Sequence, residues 1–98
     1  MKNLFAIIAL GFSGYFGNSP IFVNGTVYDQ SGNVLNGIEV AVKGTNLSTV
    51  TDINGFYSIQ VKNEHSLLIF SGRGWTTEKI KVGTRKIIDV IPQENTIL

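Results

Sequence analysis

From Ile21 onward the chain alternates apolar and polar positions with a period of two. Val23, Gly25 and Val27 share one face, and Phe22, Asn24, Thr26 and Tyr28 share the other, which predicts a strand with one side turned inward. The same pattern returns at Ile38, Val40 and Val42, with Glu39 and Lys43 on the opposite side. A short strand is expected over 48–51. Another is expected over 56–61, where Tyr57, Ile59 and Val61 form the inner set. The run at 66–71 (SLLIFS) is nearly all apolar, so it reads as a central strand covered on both sides. Alternation resumes over 75–82, with Ile80 and Val82 inward and Glu78, Lys79 and Lys81 near solvent. A last strand is predicted over 86–91, ended by Pro92, which lacks an amide donor.

Turn signals separate these runs: Asp29-Gln30-Ser31-Gly32-Asn33, Asn36-Gly37, Gly44-Thr45-Asn46, Asn54-Gly55, Gly72-Arg73-Gly74 and Gly83-Thr84-Arg85. Seven strands at short, even spacing with no helical period predict an all-β fold, a seven-stranded antiparallel sandwich.

The N-terminus follows another pattern. Lys2 supplies a positive charge, 4–12 (LFAIIALGF) is continuously apolar, and small residues follow at Ser13, Gly14, Gly17 and Ser19. This order predicts a secretory signal peptide or an N-terminal anchor over 1–20. The run is shorter than the roughly 20 apolar residues that cross a bilayer. A lipoprotein signal would need a cysteine, and the chain has none. The expected organisation is a leader over 1–20, one β-sandwich domain over 21–92 and a short tail over 93–98.

Composition narrows the chemistry. A net charge of +1, with 15% charged residues, gives no electrostatic footprint for nucleic acid. Without cysteine there is no disulfide, no thiolate nucleophile and no thiolate metal ligand. Asp52-Ile53-Asn54-Gly55 could open a calcium loop, but counting from Asp52 puts Phe56 at the fifth position and Asn63 at the twelfth, where a bidentate carboxylate belongs. The same residues make a hairpin turn at Asn54-Gly55, and that is the reading adopted. His65, the only histidine, sits in a polar loop, and the carboxylates show no paired spacing for acid–base work. Lys43 and Asp89 are the one pair worth inspecting for a self-formed amide cross-link between strands. No catalytic residue, metal ligand or cofactor is assigned.

The ordered series Gly25-Thr26-Val27-Tyr28-Asp29, then 32–40 (GNVLNGIEV), Val42-Lys43-Gly44-Thr45, 51–59 (TDINGFYSI), 67–71 (LLIFS), Gly74-Trp75 and Ile88-Asp89-Val90 resembles the carboxypeptidase regulatory-like domain family. It is most similar to the version at the N-terminus of TonB-dependent outer-membrane transporters. Asn36 stands where that family often has Pro, and Trp75 where it usually has Tyr. The resemblance implies a transthyretin-like Greek-key sandwich, export to the periplasm or outer membrane, and no catalysis. It also implies a protein partner in the cell envelope, within the TonB-dependent transport machinery; the shortness of the one apolar run predicts no transmembrane span in the mature chain. The alternative reading is a small carbohydrate-binding module, with Trp75, Tyr57 and Phe56 as an aromatic platform.

Overall fold

The computed structural model describes residues 20–95; residues 1–19 of the predicted leader and 96–98 of the tail lie outside the described residues. Six strands form in chain order: β1 (Ile21–Thr26), β2 (Glu39–Val42), β3 (Ser48–Val50), β4 (Phe56–Val61), β5 (Leu67–Gly72) and β6 (Trp75–Lys81). They make two antiparallel sheets, β1-β4 and β3-β2-β5-β6. No helix forms among the described residues.

The period-two pattern becomes the core. Val23 and Val27 from the β1 region, and Tyr57, Ile59 and Val61 from β4, face Val40 and Val42 of β2 and Leu68 and Phe70 of β5. The Tyr57 and Phe70 rings meet edge to face, with centroids 5.3 Å apart. Strand β5 departs from expectation. Leu68 and Phe70 are buried, but Leu67 and Ile69 are only half-buried on the outer face of the four-stranded sheet. In register they lie beside Lys81 and Lys79, whose aliphatic stems flank that apolar stripe.

The segment at 86–91 is not a continuous strand. It runs parallel to β1 and pairs with it at isolated bridges, Asn24 with Ile87 and Val27 with Val90. The interruption has a definite cause. Asn24 N donates to Lys86 O, Ile88 N to Asn24 O, Val90 N to Thr26 O and Tyr28 N to Val90 O. A regular parallel ladder would add Thr26 N to Ile88 O. Instead the Tyr57 hydroxyl donates to Ile88 O at 2.6 Å. Thr26 N turns to the Asp89 carboxylate, with Oδ1 at 2.8 Å. The Ile88 carbonyl is tipped over Gly25, where a Cβ would lie 2.0 Å from its oxygen. Only glycine admits that approach.

Beyond Pro92 the chain pairs with the start of β6. Thr76 N donates to Gln93 O, and Asn95 N donates to Gly74 O. The buried Thr51 side chain ties the segment before β2 to the end of β3: its Oγ1 accepts from Ile38 N and donates to Leu35 O.

Two substitutions and a control test this closure. Gly25→Ala forces 86–91 away from β1 and is expected to lower the unfolding free energy by about 3 kcal/mol in urea denaturation. Gly74→Ala, where a Cβ meets nothing within 4 Å, carries only the positive-φ cost of about 1 kcal/mol. Tyr57→Phe leaves the Ile88 carbonyl unpaired and is expected to cost about 2 kcal/mol. Burial, and then the nearby Asp89 carboxylate, push the Tyr57 hydroxyl well above its ordinary pKa. The unfolded chain therefore ionises first. The stabilisation is complete below the ordinary tyrosine value of about 10 and is lost as pH rises beyond it, with a slope that Tyr57→Phe removes.

Candidate functional site

The two turns that open on aspartate are the same structure. In 29–33, Asp29 N donates to Asn33 O, Gly32 N donates to Asp29 O, and Asp29 Oδ1 accepts from Ser31 N and Asn33 N. In 52–56, Asp52 N donates to Phe56 O, Gly55 N donates to Asp52 O, and Asp52 Oδ1 accepts from Asn54 N and Phe56 N. In each corner the glycine has positive φ, 88° at Gly32 and 75° at Gly55. The Asp52 oxygen that would begin a calcium loop is thus occupied by backbone amides. The bond from the Asn33 amide is the largest influence on the Asp29 carboxyl; desolvation opposes it, and the further bonds from Ser31 and Asn33 leave the pKa below its ordinary value.

The Asn54-Gly55 turn differs from expectation in what it joins. Its flanking strands do not pair with each other: β3 pairs with β2, and β4 pairs with β1. It is a corner between sheets and not a hairpin. The turn is centred on Ile53 and Asn54, since the closing bond runs from Gly55 N to Asp52 O at 2.8 Å.

The structure separates the residues of the aromatic platform. Tyr57 is 2% exposed and faces the core. Phe56 is partly exposed at the start of β4, in the two-stranded sheet. Trp75 begins β6 in the other sheet and packs half-buried against the core. Trp75 borders an open depression of about 280 Å³ with Asp29, Gln30, Ser31 and Glu94. Because Tyr57 is turned inward, the three rings do not form one stacking surface.

Lys43 and Asp89 are not brought together either. Lys43 is an exposed residue following β2 in the four-stranded sheet, whereas Asp89 lies beside β1 and accepts from Thr26 N. His65 is exposed, with Nε2 3.7 Å from Glu64 Oε2. It lines a depression of about 440 Å³ at the end of the sandwich where β1 begins, together with Arg85, Lys86 and Thr84. The Arg85 guanidinium is turned back onto the chain, donating to the carbonyls of Lys81 and Val82.

Two surfaces contrast in charge. The outer face of the four-stranded sheet carries Glu39, Lys79 and Lys81 around Leu67 and Ile69. The outer face of β4, β1 and 86–91 carries Phe22, Asn24 and Thr26, then Phe56, Ser58 and Gln60, then Ile87, Asp89 and Ile91. Its one charged residue, Asp89, is bonded to the backbone, and Phe22 and Ile87 are 55% and 67% exposed. Strand β4 also presents an open edge. Its bonds to β1 leave from Tyr57, Ile59 and Val61, because Val27 N donates to Gly55 O in the same register. The alternation of an antiparallel ladder then turns the backbone groups of Ser58 and Gln60 away from the sheet. The sequence showed this strand but not its edge, since strand order depends on distant contacts.

Three comparisons bear on this arrangement. The family model described as CarboxypepD_reg-like domain matches residues 23–98. TonB-dependent receptor P3 of Formosa agariphila is 33% identical over 94 residues, which is 95% of this chain and 9% of the receptor. TonB-dependent receptors P39 and P26 of the same organism are 34% and 37% identical over 73 and 76 residues, again 7% and 8% of their lengths. The chain therefore spans less than a tenth of the curated relatives it matches. Among solved structures, two interface mutants of a type II cohesin–X-dockerin complex from Acetivibrio cellulolyticus each contain a chain of similar fold. The C-terminal interface mutant gives a TM-score of 0.58 at 22% identity, covering 72% of this chain and 51% of that one. The N-terminal interface mutant gives 0.55 at 24% identity, covering 70% and 51%.

The corner reading makes a direct prediction. Asp52→Ala removes the acceptor for two backbone amides and is expected to lower stability by about 1 kcal/mol, read as a lower melting temperature. Millimolar calcium is expected to leave the melting temperature of the unsubstituted protein unchanged. A calcium-dependent rise that Asp52→Ala abolishes would restore the metal-loop reading.

Proposed function

Because the chain belongs to the CarboxypepD_reg-like domain family, we propose that it is a non-catalytic interaction module of the bacterial cell envelope. Its role is to hold a protein partner of the TonB-dependent transport machinery. The observation that carries this reading is the 33% identity to a TonB-dependent receptor across 95% of the chain. On this reading residues 1–20 direct export or anchor the chain, and the domain works in the periplasm or at the outer membrane. On this reading 86–91 counts as a seventh strand, beside β1, of the transthyretin-like Greek-key sandwich that the family resemblance implies. Among the described residues no helix is long and apolar enough to cross a membrane, so attachment through a partner or through the leader suits the domain.

The contact is assigned to β4. Its edge is six residues long, uncharged and free of proline, with outward backbone groups at Ser58 and Gln60. Extended partner segments add to edges of this kind through main-chain bonds. The β6 edge is less suitable, since it carries Lys79 and Lys81 and is paired at its start with 93–95.

Site-specific photocrosslinking in intact cells tests the proposal. A photoreactive residue at Gln60 is expected to give one discrete adduct in the envelope fraction, and the same residue at Lys79 none. Ser58→Pro removes an outward amide that the sandwich does not use, so the fold persists while the adduct is lost. Equal labelling from Gln60 and Lys79, or an adduct that survives Ser58→Pro, sinks the assignment.

A further inference from the structure

The strand β1 and the segment 86–91 run parallel, side by side, near the two ends of the domain. The chain enters at Ile21, where β1 begins, and leaves past Ile91, at the far end of the pair. Tension applied through the two ends therefore pulls neighbouring strands in opposite directions along their own axes. The bonds between them lie across that direction and are strained together.

We infer that this pair is a mechanical clamp, which makes the domain resistant to end-to-end tension. The clamp consists of four backbone bonds, Asn24 N to Lys86 O, Ile88 N to Asn24 O, Val90 N to Thr26 O and Tyr28 N to Val90 O. Two side-chain bonds stand where a fifth backbone bond would be: Thr26 N to Asp89 Oδ1 and Tyr57 Oη to Ile88 O. They do more than replace it. The Tyr57 bond ties 86–91 to β4 as well as to β1, so sliding 86–91 also loads the second strand of the sheet. Gly25 lets the Ile88 carbonyl lie against the β1 backbone, in the space a Cβ would fill. Ile88 and Val90 are buried beneath the pair, so sliding must also draw them out of the core. The contact between 93–95 and β6 lies outside the clamp and yields first, one bond at a time.

The matched receptors carry this segment as less than a tenth of a longer chain; where residues 1–20 anchor the chain and further sequence follows the domain, a pull along the chain reaches it through both ends. A clamp there keeps the module folded under that pull. The inference does not depend on what the β4 edge binds.

Single-molecule pulling on the full chain tests it. The chain lacks cysteine, so paired substitutions give unique handles. Pro20→Cys with Asn95→Cys pulls the pair in shear. Pro20→Cys with Thr84→Cys opens it from one end, breaking bonds in sequence. All three positions are exposed, and urea denaturation first establishes that both variants are equally stable. The shear geometry is expected to unfold at a force roughly twofold or more above the opening geometry, since bonds strained together resist better than bonds met singly. Asp89→Ala, which alters only an exposed side chain, is expected to lower the shear force and leave the opening force within error. Equal forces in the two geometries overturn the inference. A shear force insensitive to Asp89→Ala removes the side-chain bonds from the clamp and overturns it in the form stated.

Discussion

One carbonyl organises the closure of the smaller sheet. Ile88 O is withdrawn from the ladder that its neighbours make with β1 and is given to the Tyr57 hydroxyl. Three residues far apart in sequence must agree for this to work. Gly25 must lack a side chain, Tyr57 must reach across from β4, and Asp89 must supply the acceptor that Thr26 N would otherwise lack. Each bond is worth only about 1 kcal/mol net, but a buried carbonyl left unpaired costs more than a bond contributes. The three positions are therefore energetically coupled. They matter because β1 and β4 alone would be a two-stranded ribbon, which is marginal in water. The third segment covers the inner face with Ile88 and Val90.

The same economy of means appears in the two aspartate corners. At Asp29 and Asp52 a carboxylate oxygen gathers two backbone amides, and a glycine at positive φ closes the turn. The corners also touch. A Cβ on Gly55 would lie 2.6 Å from Val27 O and 2.9 Å from Val34 Cβ, so the second corner packs on the segment that the first one redirects. Thr51 sits just before the second corner and bonds both Ile38 and Leu35. The crossing between the sheets is thus held by side chains that serve the backbone.

Much of this was legible in the sequence, and the limit was physical. Period-two alternation identified the inner faces of β1, β2 and β4, because burial on one side of a pleated strand leaves that signature in the residues themselves. Glycine and aspartate marked the turns for equally local reasons. Pairing was different. Asn54-Gly55 between two alternating runs looks the same whether the runs pair with each other or diverge into separate sheets, and only long-range contacts decide it. The apolar run at 66–71 gave too much burial for a similar reason: Leu67 and Ile69 are paired in register with Lys81 and Lys79 of β6, and the outer face of β5 remains half open. As for sites, Tyr57 is an aromatic in an inward register, so the alternation that placed it with Ile59 and Val61 already argued for core. Asp89 carried no signal of its bond to Thr26, which exists only because Tyr57 has taken the regular acceptor.

The polar side chains with the most definite geometry all address the protein's own main chain. Asp29, Thr51, Asp52, Tyr57 and Asp89 each bond a backbone amide or carbonyl. At Asp29 and Asp52 one carboxylate oxygen is committed to two backbone amides and so to holding the turn. A phenol buried against a carbonyl is held neutral and is poorly placed as a nucleophile. What the fold leaves uncommitted is different in kind: an uncharged edge at β4 and an apolar outer face beside it, set opposite a face lined with lysine. Chemistry has been drawn inward to shape the scaffold, and contact has been left to the surface. That division is the physical basis for reading the domain as a module that holds and is held.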